Sequence, residues 1–219
     1  MKIVGSFICI AIVSGFMAAC SAASIKRVFV LSGQSNMVRN FANMEDALKR
    51  NYGPDTLVIK SAVSGSSISQ WQPGQPYYET SVAKTTRAID DGYVLSGVLF
   101  FQGEADAKTE TSRAWEKLFI KYINGFSADT GVTNIPIVFA HLGKVPTPAD
   151  KYPFWREVVS QQSFAATMRP QYKMIETYDL GPYESGPYYH DNFADPAWVG
   201  TGYKEITKRF IAAIKTMVP

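Results

Sequence analysis

Short runs of apolar residues, apolar on both faces, alternate along this chain with longer stretches in which apolar positions recur at helical spacing. Val28 to Leu31, Leu57 to Ile59, Leu95 to Phe101, Ile135 to His141 and Lys173 to Tyr178 read as five strands. Helical spacing runs over Tyr77 to Asp90, Ser112 to Phe126, Pro153 to Met168 and Gly202 to Met217. In the last of these, Ile206, Phe210, Ala213, Ile214 and Met217 share one face. A strand such as Gly97-Val98-Leu99-Phe100-Phe101, with no polar face, must be covered by helices on both sides. Repeated strand–helix alternation therefore predicts an α/β fold, a mainly parallel sheet between two helix layers.

The first residues follow a different rule. Lys2, an apolar run from Ile3 to Met17 and the small residues Ala18-Ala19-Cys20-Ser21-Ala22-Ala23 form the three-part pattern of a secretory signal over residues 1–23. The run is shorter than the ~20 apolar residues that span a bilayer. Two processing routes are open: lipidation of Cys20, with Met17-Ala18-Ala19-Cys20 as a lipoprotein box, or cleavage after Ser21-Ala22-Ala23. Either implies export, to the periplasm, the outer membrane as a lipoprotein, or the exterior, with the membrane touched only through a lipid on Cys20. Both cysteines, Cys9 and Cys20, fall in this segment, so residues 24–219 contain no internal disulfide and rely on their core. About 200 residues suit a single domain. The formal charge of +3 comes from scattered lysines and arginines without a dense cluster, which excludes nucleic acid as an expected partner.

In a parallel sheet the loops at the carboxyl ends of the strands converge on one crevice, and the unusual polar motifs follow strands. Gly33-Gln34-Ser35-Asn36-Met37 follows the first, Ser61 to Ile68 the second, and Gln102-Gly103-Glu104-Ala105-Asp106 the third. A serine hydroxyl needs a neighbouring base, and imidazole, titrating near neutrality, suits that role. The chain has two histidines. His141 lies in an apolar run and reads as structural. His190, in a polar loop ahead of the last helix, is the expected base for Ser35. Donors for an oxyanion are the N–H groups of Ser35 and Gly65 and the side-chain amide of Gln102, with glycine at 65 permitting close backbone approach. Trp71, Tyr77, Tyr78, Tyr183, Tyr188, Tyr189 and Trp198 crowd these loops and suit stacking on sugar rings, Trp71, Tyr188 and Tyr189 foremost; several must instead be packing under loops.

Val30-Leu31-Ser32-Gly33-Gln34-Ser35-Asn36-Met37 resembles the nucleophile block of the SGNH hydrolases, in their sialate O-acetylesterase-like and acetylxylan esterase branch, carbohydrate esterase family six. Phe101-Gln102-Gly103-Glu104-Ala105-Asp106 resembles that branch's third block, in which glutamine replaces the usual oxyanion-hole asparagine. Gly65, with Ser67, Ile68 and Trp71 after it, falls where the second block belongs. The resemblance implies a flavodoxin-like three-layer α/β/α sandwich with a five-stranded sheet, neither metal nor organic cofactor, and acyl-serine hydrolysis of acetyl esters on a carbohydrate. It departs from the pattern at Pro187, which stands three residues before His190 where an aspartate is usual. Glu104 is then the first candidate for the acid that orients His190, Glu184 the second, and Asp191, Asp195 and Asp179 weaker ones; a Ser–His dyad is a further option, and Asp106 reads as structural. Pro187 also keeps a second reading open, a non-catalytic glycan-binding protein on the same fold, beside a broader lipase-like or thioesterase activity on the same machinery.

Overall fold

The computed structural model describes residues 25–144, 149–180 and 201–219. The expected signal segment and the stretch carrying His190 lie outside these. Five strands form one parallel sheet: β1 (Arg27–Gly33), β2 (Leu57–Ala62), β3 (Val94–Phe101), β4 (Ile137–Ala140) and β5 (Tyr172–Ile175), in the order β2-β1-β3-β4-β5. Val30 pairs with Ile59 on one side and Val98 on the other. Leu99 pairs with Val138, and Phe139 with Met174. Residues 28–33 of β1 and 95–101 of β3 are all buried, as expected of central strands covered on both faces.

Helices α2 (Pro76–Asp90), α3 (Trp115–Thr130) and α4 (Trp155–Ala165) pack side by side on one face, and α1 (Ser35–Tyr52) pairs with α5 (Thr201–Lys215) on the other. Right-handed crossovers require this division, because β1 to β2 moves across the sheet in one direction and the later connections in the other. On the three-helix face Trp115 stacks on Phe119 at 5.1 Å, and Phe119 meets Phe139 at 5.0 Å. The chain leaves β1 for β2 and returns past β1 to β3, so the sheet's switch point, where a crevice opens, lies between the carboxyl ends of β1 and β3.

Helix α1 was absent from the periodicity. Its inner face carries Asn36 and Asn40 among Met37, Met44, Ala47 and Leu48, and the buried amides break up the apolar stripe. Their oxygens are met across the seam by α5, where Tyr203 Oη donates to Asn36 Oδ1 at 2.9 Å and Thr207 Oγ1 to Asn40 Oδ1 at 3.1 Å, while Asn40 Nδ2 has no partner among the described residues. Strand β5 ends at Ile175, short of the expected Tyr178, which opens a 3-10 turn, Tyr178–Leu180.

Candidate active site

β1 ends in a turn that only glycine can make. Gly33 has φ +127°, and a Cβ there would stand 2.1 Å from the Phe101 carbonyl oxygen. This tight approach, with Gln34 N–H donating to Phe101 O at 2.9 Å, brings the end of β1 against the end of β3. Ser35 then occupies the first position of α1, half-buried, at a helix end whose N–H groups lack intrahelical partners and whose dipole favours negative charge. The Gln34 side chain does not cap that helix. Its Oε1 instead accepts from the N–H groups of Gly103 and Ala105 and from Gln102 Nε2, bracing the loop after β3.

The loop after β2 is fastened by Val63 N–H donating to Gly33 O at 2.9 Å, and by Ser66, whose Oγ donates to Val63 O and accepts from Trp71 Nε1. Gly65 lies in the left-handed region at φ +74°, and a Cβ on it would meet nothing within 4 Å. The backbone conformation by itself calls for glycine at this position. Its N–H has no partner among the described residues.

The loop after β3 supplies Gln102, Glu104 and Asp106, all buried. Asp106 accepts from Ile68 N–H at 2.9 Å, from Thr111 Oγ1 at 2.7 Å and from Gln102 Nε2, tying the second and third motifs together as the structural reading expected. Burial raises its pKa, against these hydrogen bonds. Glu104 is 2% exposed; one carboxyl oxygen accepts from Asn36 Nδ2, and the other has no partner among the described residues. Burial pushes its carboxyl up to about 7, opposed by its own backbone N–H and by Asn36.

Ser35, Gly65 and Glu104 line one cleft of about 270 Å³ at this edge, together with Gln34, Lys108 and Tyr152. The last two were missed from sequence. Lys108 sits two residues beyond the third motif, its ammonium 4.8 Å from the Tyr152 ring centre, whereas Tyr152 arrives from far along the chain with no local signal.

Three expectations are corrected. Gln102 does not present its amide to the cleft: the side chain is wholly buried, its nitrogen donates to Ser66 O at 3.1 Å, to Asp106 and to Gln34, and its oxygen accepts from Trp115 Nε1 at 2.8 Å. Trp71 is no sugar platform, being 1% exposed and packed against Tyr77 and Tyr122. Tyr78 is likewise buried, its hydroxyl bonded to Asp129. Asp179 is spoken for by Arg209, which meets both its oxygens at 2.6 Å and holds its pKa down. His141, 6% exposed just past β4, stands 3.4 Å from both Ser163 Oγ and Glu176, away from the cleft; burial lowers its pKa, and the structural reading stands. His190, Tyr188, Tyr189, Glu184, Pro187, Asp191 and Asp195 lie outside the described residues.

The parallel five-stranded α/β/α sandwich of this chain is similar to the fold of a GDSL-like lipase from Bacteroides thetaiotaomicron, at 14% identity and TM-score 0.58, covering 88% of this chain and 89% of the other. Over residues 39–207 the chain matches the family of carbohydrate esterases described as sialic acid-specific acetylesterases, and it belongs to that family. The chain is a serine esterase. Among solved structures it is similar to a protein from Arabidopsis thaliana, at 14% identity and TM-score 0.72, covering 89% of this chain and 100% of the other. It is also similar to XAC1771, a carbohydrate acetylesterase from Xanthomonas citri, at 14% identity and TM-score 0.66, covering 88% of this chain and 56% of the other. A third, NanS, is 12% identical at TM-score 0.66, covering 89% and 98%. No curated protein matches the sequence.

Proposed function

We propose that this chain removes acetyl groups from a carbohydrate through an acetyl-serine intermediate, with Ser35 as nucleophile and His190 as general base. The observation that carries the reading is that one cleft is lined by Ser35 at a helix start, by Gly65, whose N–H has no partner among the described residues, and by the buried Glu104.

Each step assigns work to those groups. Ser35 Oγ attacks the acetyl carbonyl as His190 takes its proton, and the N–H groups of Ser35 and Gly65 receive the oxyanion, helped by the positive end of α1. His190 returns the proton to the departing sugar hydroxyl, and then activates the water that releases acetate. Glu104 is the acid assigned to orient His190, because its second oxygen is buried and unpaired among the described residues while it lines the same cleft. Gln102 contributes by holding the loops, and the oxyanion rests on two backbone donors. The family, and the acetylesterase named among the structural neighbours, support an O-acetylated sugar as substrate. The apolar leader with its small-residue end supports export of the protein, by lipidation at Cys20 or by simple cleavage.

The test is hydrolysis of p-nitrophenyl acetate, acetylated xylan and an O-acetylated sialic acid by the wild type, Ser35→Ala and His190→Ala. Loss of release on every ester with either substitution is expected; release that survives Ser35→Ala contradicts the assignment.

A further inference from the structure

Residue 36 links the nucleophile's helix to a partner far away in sequence. Asn36 is fully buried at the second position of α1, next to Ser35, and makes two hydrogen bonds in opposite directions. Its Nδ2 donates to Glu104 Oε1, and its Oδ1 accepts from the hydroxyl of Tyr203 at 2.9 Å. Tyr203 is 2% exposed and lies in the first turn of α5, the helix that follows the segment bearing His190.

A carboxamide has a donor end and an acceptor end, and only the environment decides which faces a given neighbour. A phenol hydroxyl can donate or accept; here Tyr203 donates to Asn36 Oδ1, which favours the amide orientation with its oxygen end toward α5 and its nitrogen end toward Glu104. A donor facing that carboxyl favours its ionised form, whereas the flipped amide would offer an oxygen, which only the protonated acid can satisfy. We propose that Tyr203 is a positioning residue of the esterase site: its hydroxyl sets the orientation of Asn36 and thereby holds Glu104 and the first turn of α1 in the arrangement that hydrolysis uses. This rests on the reading of the cleft given above.

The charged groups facing Glu104 among the described residues are Asp106 and Lys108, both from its own loop. What α1 and α5 bring to it are Asn36 and, through Asn36, Tyr203, both uncharged. Among the described residues the Asn36 amide is the neutral side chain bonded to the carboxyl, and Tyr203 is bonded to its other end.

The experiment is a carbon NMR titration of the Glu104 carboxyl, its signal assigned by loss in Glu104→Gln, paired with pH profiles of p-nitrophenyl acetate hydrolysis. Tyr203→Phe keeps the ring and its packing. It is expected to move the Glu104 titration upward by about half a pH unit and to lower kcat about two- to tenfold with KM little changed. In an Asn36→Ala background the same substitution is expected to change neither readout. A Glu104 titration unmoved by Tyr203→Phe, or an effect that persists without Asn36, overturns the proposal. Should Tyr203→Phe fail to fold, Asn36→Ala alone must raise the titration, and its failure to do so is equally decisive. The titration is read in Ser35→Ala protein as well, so a failure of the esterase assignment leaves this outcome separately legible.

Discussion

Gly33 and Phe101 stand so close that no side chain fits between them: a Cβ on residue 33 would lie 2.1 Å from the Phe101 carbonyl oxygen, at a φ of +127°. This contact joins the ends of the two strands that flank the switch point, and Ser35 and Glu104 inherit their proximity from it. Gly33→Ala is expected to combine backbone strain with a forced separation of β1 and β3, costing about 3 kcal/mol or more. Urea denaturation measures the loss, and hydrolysis should fall with it even where the variant stays folded. A variant of wild-type stability and activity would show that the strand ends tolerate separation.

Glu104 makes stability depend on pH in a defined direction. Its carboxyl has a usual value of 4.5 and sits at about 7 in the fold, so between those values the folded protein binds a proton that the unfolded chain does not. Stability is therefore fully present below about pH 4.5, falls as pH rises toward 7, and levels off above it, by about 3 kcal/mol in all. Glu104→Gln is expected to remove this contribution, leaving one of the same sign from Asp106, whose pKa burial also raises, and one of opposite sign from His141, whose pKa burial lowers. Denaturation midpoints at several pH values between 4 and 9 check it. If Glu104 acts as a carboxylate, the wild-type rate climbs through about pH 7, and the substitution lowers the plateau.

Trp71 separates packing from substrate binding. With its indole buried against Tyr77 and Tyr122 and its N–H on Ser66, Trp71→Ala is expected to cost about 3–5 kcal/mol, and Trp71→Phe about 1 kcal/mol for the lost hydrogen bond. A sugar platform would behave differently, raising KM with little change in melting temperature.

Asp106 holds two loops at once. In Asp106→Ala the acceptor shared by Ile68 N–H, Gln102 Nε2 and Thr111 Oγ1 is removed, which leaves buried donors unsatisfied. The expected cost is about 2 kcal/mol, with a fall in kcat/KM because the Gly65 loop loses its anchor. Chemical denaturation and steady-state kinetics on p-nitrophenyl acetate report the two effects.

The strands were legible because burial on both faces leaves an uninterrupted apolar run, and four of the five helices because each presents one apolar face. Helix α1 was not, since Asn36 and Asn40 sit where the stripe should be and their oxygens are met by Tyr203 and Thr207, 167 positions away. The same limit applies to the site. Gly33-Gln34-Ser35 and Glu104 could be placed on one edge from motif order alone. That Gln102 and Trp71 turn inward could not, because a glutamine and a tryptophan in a loop have the same local sequence whether they face the solvent or the core. Only the packing of Trp115, Asp106 and Ser66 around them decides it.

The most direct measurement of the central claim is the mass of the protein quenched in acid during turnover of p-nitrophenyl acetate, followed by mapping of any added acetyl group to a peptide. An acetyl on the peptide containing Ser35, absent from Ser35→Ala, is the predicted result. Turnover with no acetylated enzyme, or with the acetyl on another residue while Ser35→Ala stays active, would contradict it.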